Sequence, residues 1–178
     1  LKKLKWKLWK INEYKNILED GLCGIGLTLS PEKIDHLLHY HQLLIKWNKA
    51  YNLTAVRDPG VMVSRHLLDS LVISPLIEGK RFLDVGTGAG LPGIVLAITF
   101  PDRQFDLLDS NGKKTRFLFQ VKTELALKNI DIFNSRVEKH KVAELYDGIF
   151  SRAFSTLDDM LSGSQHLLAQ SGHYYAMK

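Results

Sequence analysis

The residues best placed to do chemistry cluster around one glycine-rich stretch, Arg81 to Ala97, RFLDVGTGAGLPGIVLA, where Gly86, Gly88, Gly90 and Gly93 interrupt an apolar run. Alternating glycines directly after a strand let a ligand approach the backbone, and Asp84 places a carboxylate at the strand end. A second acid, Asp109, closes the run FDLLDS about twenty residues further on, where a side chain can accept hydrogen bonds from both ribose hydroxyls of a nucleotide. Two further runs end in arginine-bearing turns, Ser135-Arg136-Val137-Glu138 and Ser151-Arg152-Ala153-Phe154. The first could hold an adenine edge through its backbone, and the second faces the position where a transferred group would emerge.

The ligand follows from register and charge. GAGLPG, Gly88 to Gly93, matches the dinucleotide fingerprint G-x-G-x-x-G, whose glycines bring pyrophosphate to a helix N-terminus. That fingerprint opens immediately after its strand, whereas here the turn has already begun at Gly86. A carboxylate at Asp84 would repel pyrophosphate and attract a cationic ligand that carries an amino group. S-adenosylmethionine is such a ligand. NAD would want the same carboxylate at Asp109, so that residue does not discriminate, and a ligand-free turn is the plain structural alternative. No G-x-x-x-x-G-K-[ST] occurs, which excludes P-loop chemistry.

Strands and helices must alternate to hold these turns. Phe82 to Val85, Phe105 to Leu108, Ile130 to Phe133 and Gly148 to Phe150 are short apolar runs, and Phe117, Val121, Leu125 and Lys128 between them follow helical spacing. This alternation predicts a parallel, helix-covered sheet. A helix over 157–168 and a fifth strand over 173–177 complete it. Upstream the pattern is helical: Ser30 and Pro31 form a start signal for a helix over 31–49, and a shorter helix is expected over 61–73. The expected organisation is a helical segment, 1–78, packing on an α/β core, 79–178.

Composition bounds the rest. The chain has 178 residues, 45% of them hydrophobic, enough for one principal core. No apolar run approaches the roughly 20 residues of a membrane span, the basic start lacks the apolar stretch of a secretory signal, and Cys23 has no partner for a disulfide. A soluble, cytoplasmic, monomeric protein without membrane contact is expected. The whole net charge of +5 lies in LKKLKWKLWKINEYK, residues 1–15, with six lysines against one glutamate. Leu1, Leu4, Leu8 and Ile11 there would form the stripe of a basic amphipathic helix, read as a solvated docking helix before any membrane or RNA role.

Taken in order, WNKAYNLTAVRDP (47–59), RHLLDSL (65–71), FLDVGTGAGLPGI (82–94), LLDSNGKKTRFL (107–118), SRVE (135–138) and SRAF (151–154) resemble the RsmG family, also called GidB. Its members are bacterial enzymes that methylate guanine N7 in 16S ribosomal RNA with S-adenosylmethionine. The resemblance covers 30–178 and implies a Rossmann-like class I methyltransferase fold with an N-terminal helical extension. It implies cofactor contacts at Gly86, Leu91, Val137, Glu138 and Arg152, with Asp109 on the ribose; Asp84, Gly88 and Gly90 complete the expected cofactor set, and Arg152 is the expected catalytic residue. The family's sheet continues past Lys178 into a final hairpin, and residues 1–15 depart from the family's usual start.

Guanine N7 carries an in-plane lone pair and no proton, so attack on a sulfonium methyl group needs alignment rather than a general base. Accordingly there is no [DN]-P-P-[YF] motif for exocyclic amines, and no cysteine near a strand end for attack on pyrimidine C5. His36, His39 and His41 lie on different sides of one helix without further ligands at metal spacing, so no metal is expected. Asp69 with His66 lacks any accompanying hydrolase or metalloprotease motif. For RNA, within the small ribosomal subunit, the candidates are Lys113, Lys114, Arg116, Arg57 and Arg65, with Lys46 and Lys49 nearby. An NAD-dependent oxidoreductase and a non-catalytic nucleotide-binding module remain the competing readings from the residues alone.

Overall fold

The computed structural model describes residues 2–152 and 156–177, with side chains from residue 11 onward. Ala153 and Phe154 of the SRAF turn, Leu1, and the side chains of Leu4 and Leu8 of the basic stripe lie outside what is described.

Five strands form one all-parallel sheet in the order β3-β2-β1-β4-β5. They are β1 (Arg81–Val85), β2 (Gln104–Leu108), β3 (Ile130–Phe133), β4 (Tyr146–Ser151) and β5 (Leu168–Ala176). The first four apolar runs are therefore strands; β1, β2 and β4 are largely buried on both faces, as a helix-covered parallel sheet requires, whereas β3 at the sheet edge buries Ile130 and exposes Asp131. The order reverses at β1, which lies between β2 and β4, and ligands of open α/β sheets bind at such a reversal, beyond the strands' carboxyl ends. β5 starts five residues before the expected 173. Pairing of Leu168 with Tyr146, across a register shift, draws the polar stretch Ala169-Gln170-Ser171-Gly172 into extended structure despite its weak strand propensity. The preceding helix α7 (Leu157–Ser164) is correspondingly short and ends in a 3₁₀ turn, Gln165–Leu167.

The helical part comprises α1 (Lys2–Gly24), α2 (Pro31–Tyr51), α3 (Pro59–Met62) and α4 (Asp69–Leu71), the last two joined by a π-helical turn, Val63–Leu68. Ser30 caps α2 as expected, its hydroxyl accepting from the Lys33 amide, and Asn52 ends the helix in a left-handed conformation. The next helix begins at Pro59 rather than Val61, because Asp58 repeats the same device: its carboxylate accepts from the Val61 amide at 2.9 Å. Tyr14, Leu18 and Leu22 of α1 join Leu37, Leu44 and Leu67 in the same apolar cluster as Phe82, Phe105 and Phe150 of the sheet. Helices and sheet thus share a continuous core. Two more helices cover the sheet, α5 (Gly93–Thr99) and α6 (Gly112–Glu124).

Candidate active site

The loop between β1 and α5 turns because Gly86, Gly88 and Gly90 all hold positive φ, 66°, 59° and 92°, a region closed to most side chains. Its shape is locked from below by Asp84. This buried carboxylate accepts through Oδ2 from the Thr87 hydroxyl at 2.7 Å and the Gly93 amide at 2.8 Å. A Cβ at Gly93 would collide with that same oxygen and with Leu107, so glycine is what admits the contact. Asp84 therefore holds the loop with one oxygen instead of presenting a free carboxylate outward; Oδ1, also buried, has no hydrogen-bond partner. Burial pushes its pKa up to about 6, against the opposing pull of the Thr87 and Gly93 hydrogen bonds and the Arg152 charge.

A cavity of about 350 Å³ opens at the carboxyl ends of β1, β2 and β3. Val85 and Gly86 line it from β1, Asp109 and Ser110 from β2, and Val137 and Glu138 from the turn after β3. Asp109 is fixed by three donors: the Gly88 amide at 2.9 Å, the Asn111 amide at 2.8 Å and Lys114 Nζ at 3.4 Å. Lys114, expected to face RNA, points from the first turn of α6 into the cavity wall, because one helical turn separates it from the strand end it neutralises. Lys113 and Arg116 are exposed on the same helix.

The expected site residues fall into three groups. Gly86, Asp109, Val137 and Glu138 meet around the cavity, joined by Lys114 and by Arg136, which was not among the expected cofactor contacts. Gly88, Gly90, Leu91 and Asp84 shape the loop behind it without lining it; Leu91 is buried, and a Cβ at Gly90 would strike Ile94. Arg152 stands on the far side of β1, at the end of β4. Its Nη1 lies 3.5 Å from Asp69 Oδ2, and its Nη2 donates to the Arg65 carbonyl at 3.5 Å. The π turn presents that carbonyl together with Asp69, and Arg65, expected on RNA, also contributes its backbone here. In the same turn His66 meets the Thr54 hydroxyl at 2.9 Å, and burial lowers its pKa.

Every amide resolved in the loop's return is already engaged. Gly90 and Leu91 donate to the Thr87 carbonyl, Pro92 has no N–H, Gly93 donates to Asp84 and Ile94 to the Gly90 carbonyl. A carboxylate thus occupies the start of α5, where a dinucleotide's pyrophosphate would sit. No group of three or more His, Cys, Asp or Glu able to hold a metal occurs among the described residues, and none of their helices is long and apolar enough to cross a membrane.

Solved structures share this architecture. A putative protein-L-isoaspartate O-methyltransferase from Plasmodium falciparum, in complex with S-adenosyl-L-homocysteine, covers 93% of this chain and is itself covered to 84%, with TM-score 0.56 and 20% identity. Coclaurine N-methyltransferase, bound to N-methylheliamine and S-adenosyl-L-homocysteine, gives TM-score 0.56 and 16% identity over 93% of this chain and 57% of its own. The fold is the α/β, Rossmann-like fold of class I S-adenosylmethionine-dependent methyltransferases. Among curated relatives, the ribosomal RNA small subunit methyltransferase G of Hydrogenovibrio crunogenus is 57% identical over 161 residues, 90% of this chain and 74% of that protein. Its namesake from Salmonella arizonae is 50% identical over 168 residues, 94% of this chain and 79% of that protein. The family model described as rRNA small subunit methyltransferase G matches residues 33–178, and the chain belongs to that family.

Proposed function

We infer that the chain transfers a methyl group from S-adenosylmethionine to N7 of a guanine in 16S ribosomal RNA of the small subunit. The observation that carries this reading is the cavity at the carboxyl ends of β1 to β3, with the Asp109 carboxylate in its wall, in a member of this methyltransferase family. The residues lining the cavity fit the cofactor: the Asp109 carboxylate for the ribose hydroxyls and apolar walls at Val85 and Val137 for an adenine ring.

Bound there, S-adenosylmethionine supplies an electrophilic methyl group on a sulfonium. The chain's own task is alignment. Asp109, held by Gly88, Asn111 and Lys114, fixes the ribose end; Arg152, held by Asp69 and the Arg65 carbonyl, marks the opposite end of the site. Guanine N7 has no proton to lose, so no general base is required. The exposed cations Lys113, Arg116 and Arg57 would neutralise phosphates of the RNA. A dinucleotide is disfavoured by the engagement of Gly93 with Asp84.

The test is transfer of a labelled methyl group from S-adenosylmethionine to small subunits that lack the mark, followed by mapping of the modified nucleotide. Label in 16S RNA as 7-methylguanine is expected; no label, or label elsewhere, overturns the reading. Calorimetric binding of NAD without binding of S-adenosylmethionine would overturn the cofactor assignment.

A further inference from the structure

An aromatic ladder links the glycine loop to the protein surface. Tyr40 of α2 donates to the Ala89 carbonyl and packs on Phe117 of α6, with ring centroids 6.3 Å apart. Phe117 in turn meets Trp47 at 5.7 Å, and Trp47 stacks on Tyr51 at 5.1 Å with an interplanar angle of 25°. Phe117 is fully buried and Trp47 partly so, whereas Tyr51 is 41% exposed. The last ring is therefore flat against a fixed partner, with its outer part in water. Asn52 turns the chain away in a left-handed conformation immediately after it, which ends α2 at this ring.

The ring's position follows from the pairing of α2 with α6. His39 meets Glu124 at 3.4 Å near one end, and Trp47 meets Phe117 further along, so the two helices run antiparallel with seven or so residues of one matching those of the other. Extended four residues beyond Trp47, this antiparallel register carries Tyr51 toward Lys113 and Lys114 at the start of α6. Lys114 is in the cavity wall and Lys113 is exposed beside it. On the other side Arg57 donates to the Asn52 side chain at 2.7 Å and to the Asn48 carbonyl at 3.3 Å, which anchors its guanidinium next to Tyr51.

We propose that Tyr51, backed by Trp47, is a stacking platform for an unpaired base of the RNA substrate at the rim of the cofactor cavity. This rests on the RNA substrate inferred above. Single-stranded RNA is bound by aromatic faces on which bases stack, combined with cations that follow the backbone. Here the ring is pre-positioned, and Arg57 and Lys113 flank it. Lys46 and Lys49 are exposed on the same helix, so the surroundings are cationic, as a polyanion requires and an apolar protein surface does not.

The test is equilibrium binding of small subunits lacking the mark to wild type, Tyr51→Ala, Tyr51→Phe and Lys113→Ala, across a range of salt, with cofactor affinity measured separately by calorimetry. Tyr51→Ala should weaken RNA binding about tenfold with the salt slope and cofactor affinity unchanged, and Tyr51→Phe should restore it. Lys113→Ala should instead reduce the salt slope by about one. Equal RNA binding by Tyr51→Ala and wild type, or a Phe variant as weak as the Ala variant, overturns the platform while leaving the methyl-transfer reading intact. Absence of RNA binding by the wild type overturns both.

Discussion

The Tyr40 hydroxyl donates to the carbonyl of Ala89 at 2.8 Å, with both groups buried, across 49 residues of sequence. Helix α2 thereby holds the middle of the glycine loop, and the helical part of the chain becomes a support of the candidate site. Tyr40→Phe leaves a buried carbonyl without a donor, a cost of about 1–3 kcal/mol. We expect a lower unfolding free energy by that amount and a several-fold weaker affinity for S-adenosylmethionine. A loss of stability with unchanged affinity would restrict Tyr40 to packing.

The parts of this arrangement that local pattern encodes could be read from the sequence. Apolar runs mark β1, β2 and β4 because a parallel sheet buries both faces of its inner strands, β3 keeps a shorter version of the signal at the edge, and Ser30-Pro31 marks the start of α2 because a cap is a local device. Asp58-Pro59 carried the same signal two residues ahead of the expected start. The π turn over Val63–Leu68 had no such signature: the Arg65 and His66 carbonyls it presents are taken by Arg152 and Ser70, and the first of these comes from just past the end of β4. In the site, Asp109 was legible from its place at a strand end. The inward turn of Lys114 was not, since neighbouring lysines at 113 and 114 differ only in which side of α6 they occupy.

Asp84 ties stability to pH. Its folded pKa of about 6 lies above the ordinary 3.8, so the folded state holds the proton more tightly, and stability present below about pH 4 is lost as pH rises through 6. The loss amounts to about 3 kcal/mol at most. The difference in unfolding free energy between wild type and Asp84→Asn should fall between pH 4 and 6 and level off above 7. A difference that does not change with pH would place the ionisation elsewhere.

His41 acts in the opposite direction. Its Nε2 donates to the Pro59 carbonyl at 2.8 Å while Nδ1 is buried without a partner, and burial pushes its pKa down to about 4, against that hydrogen bond. Stability is fully present above 6.5 and is lost as pH falls toward 4, because the unfolded chain takes up the proton first. His41→Leu should flatten the acid limb of the stability profile, measured by denaturant unfolding at fixed pH values. His66, shifted in the same direction, should retain part of the slope.

Lys113 and Lys114 should separate functionally. Lys114→Ala removes a donor from Asp109 and should weaken cofactor binding several-fold without altering the salt slope of RNA binding, whereas Lys113→Ala should do the reverse. Asp109→Asn removes a charged acceptor from the cavity and should cost about tenfold or more in cofactor affinity. Calorimetry and salt titration read the two effects independently. Loss of salt dependence in Lys114→Ala would return that lysine to the RNA surface.

Arg152 and Asp69 should behave as one unit in catalysis. Their ion pair is long, 3.5 Å, and only partly buried, so breaking it should change stability by less than about 1 kcal/mol. Its consequence lies in placement: the same guanidinium meets the Arg65 carbonyl, so Asp69 and the π turn hold it from two directions. Arg152→Ala should lower methyl transfer about a hundredfold, the scale of losing one oriented group. Asp69→Asn, which acts only through the arginine, should lower it several-fold. Because both changes affect one contact, their effects should not add. The double variant should transfer methyl groups no more slowly than Arg152→Ala alone, whereas multiplicative losses would assign Asp69 a contact of its own with the substrate.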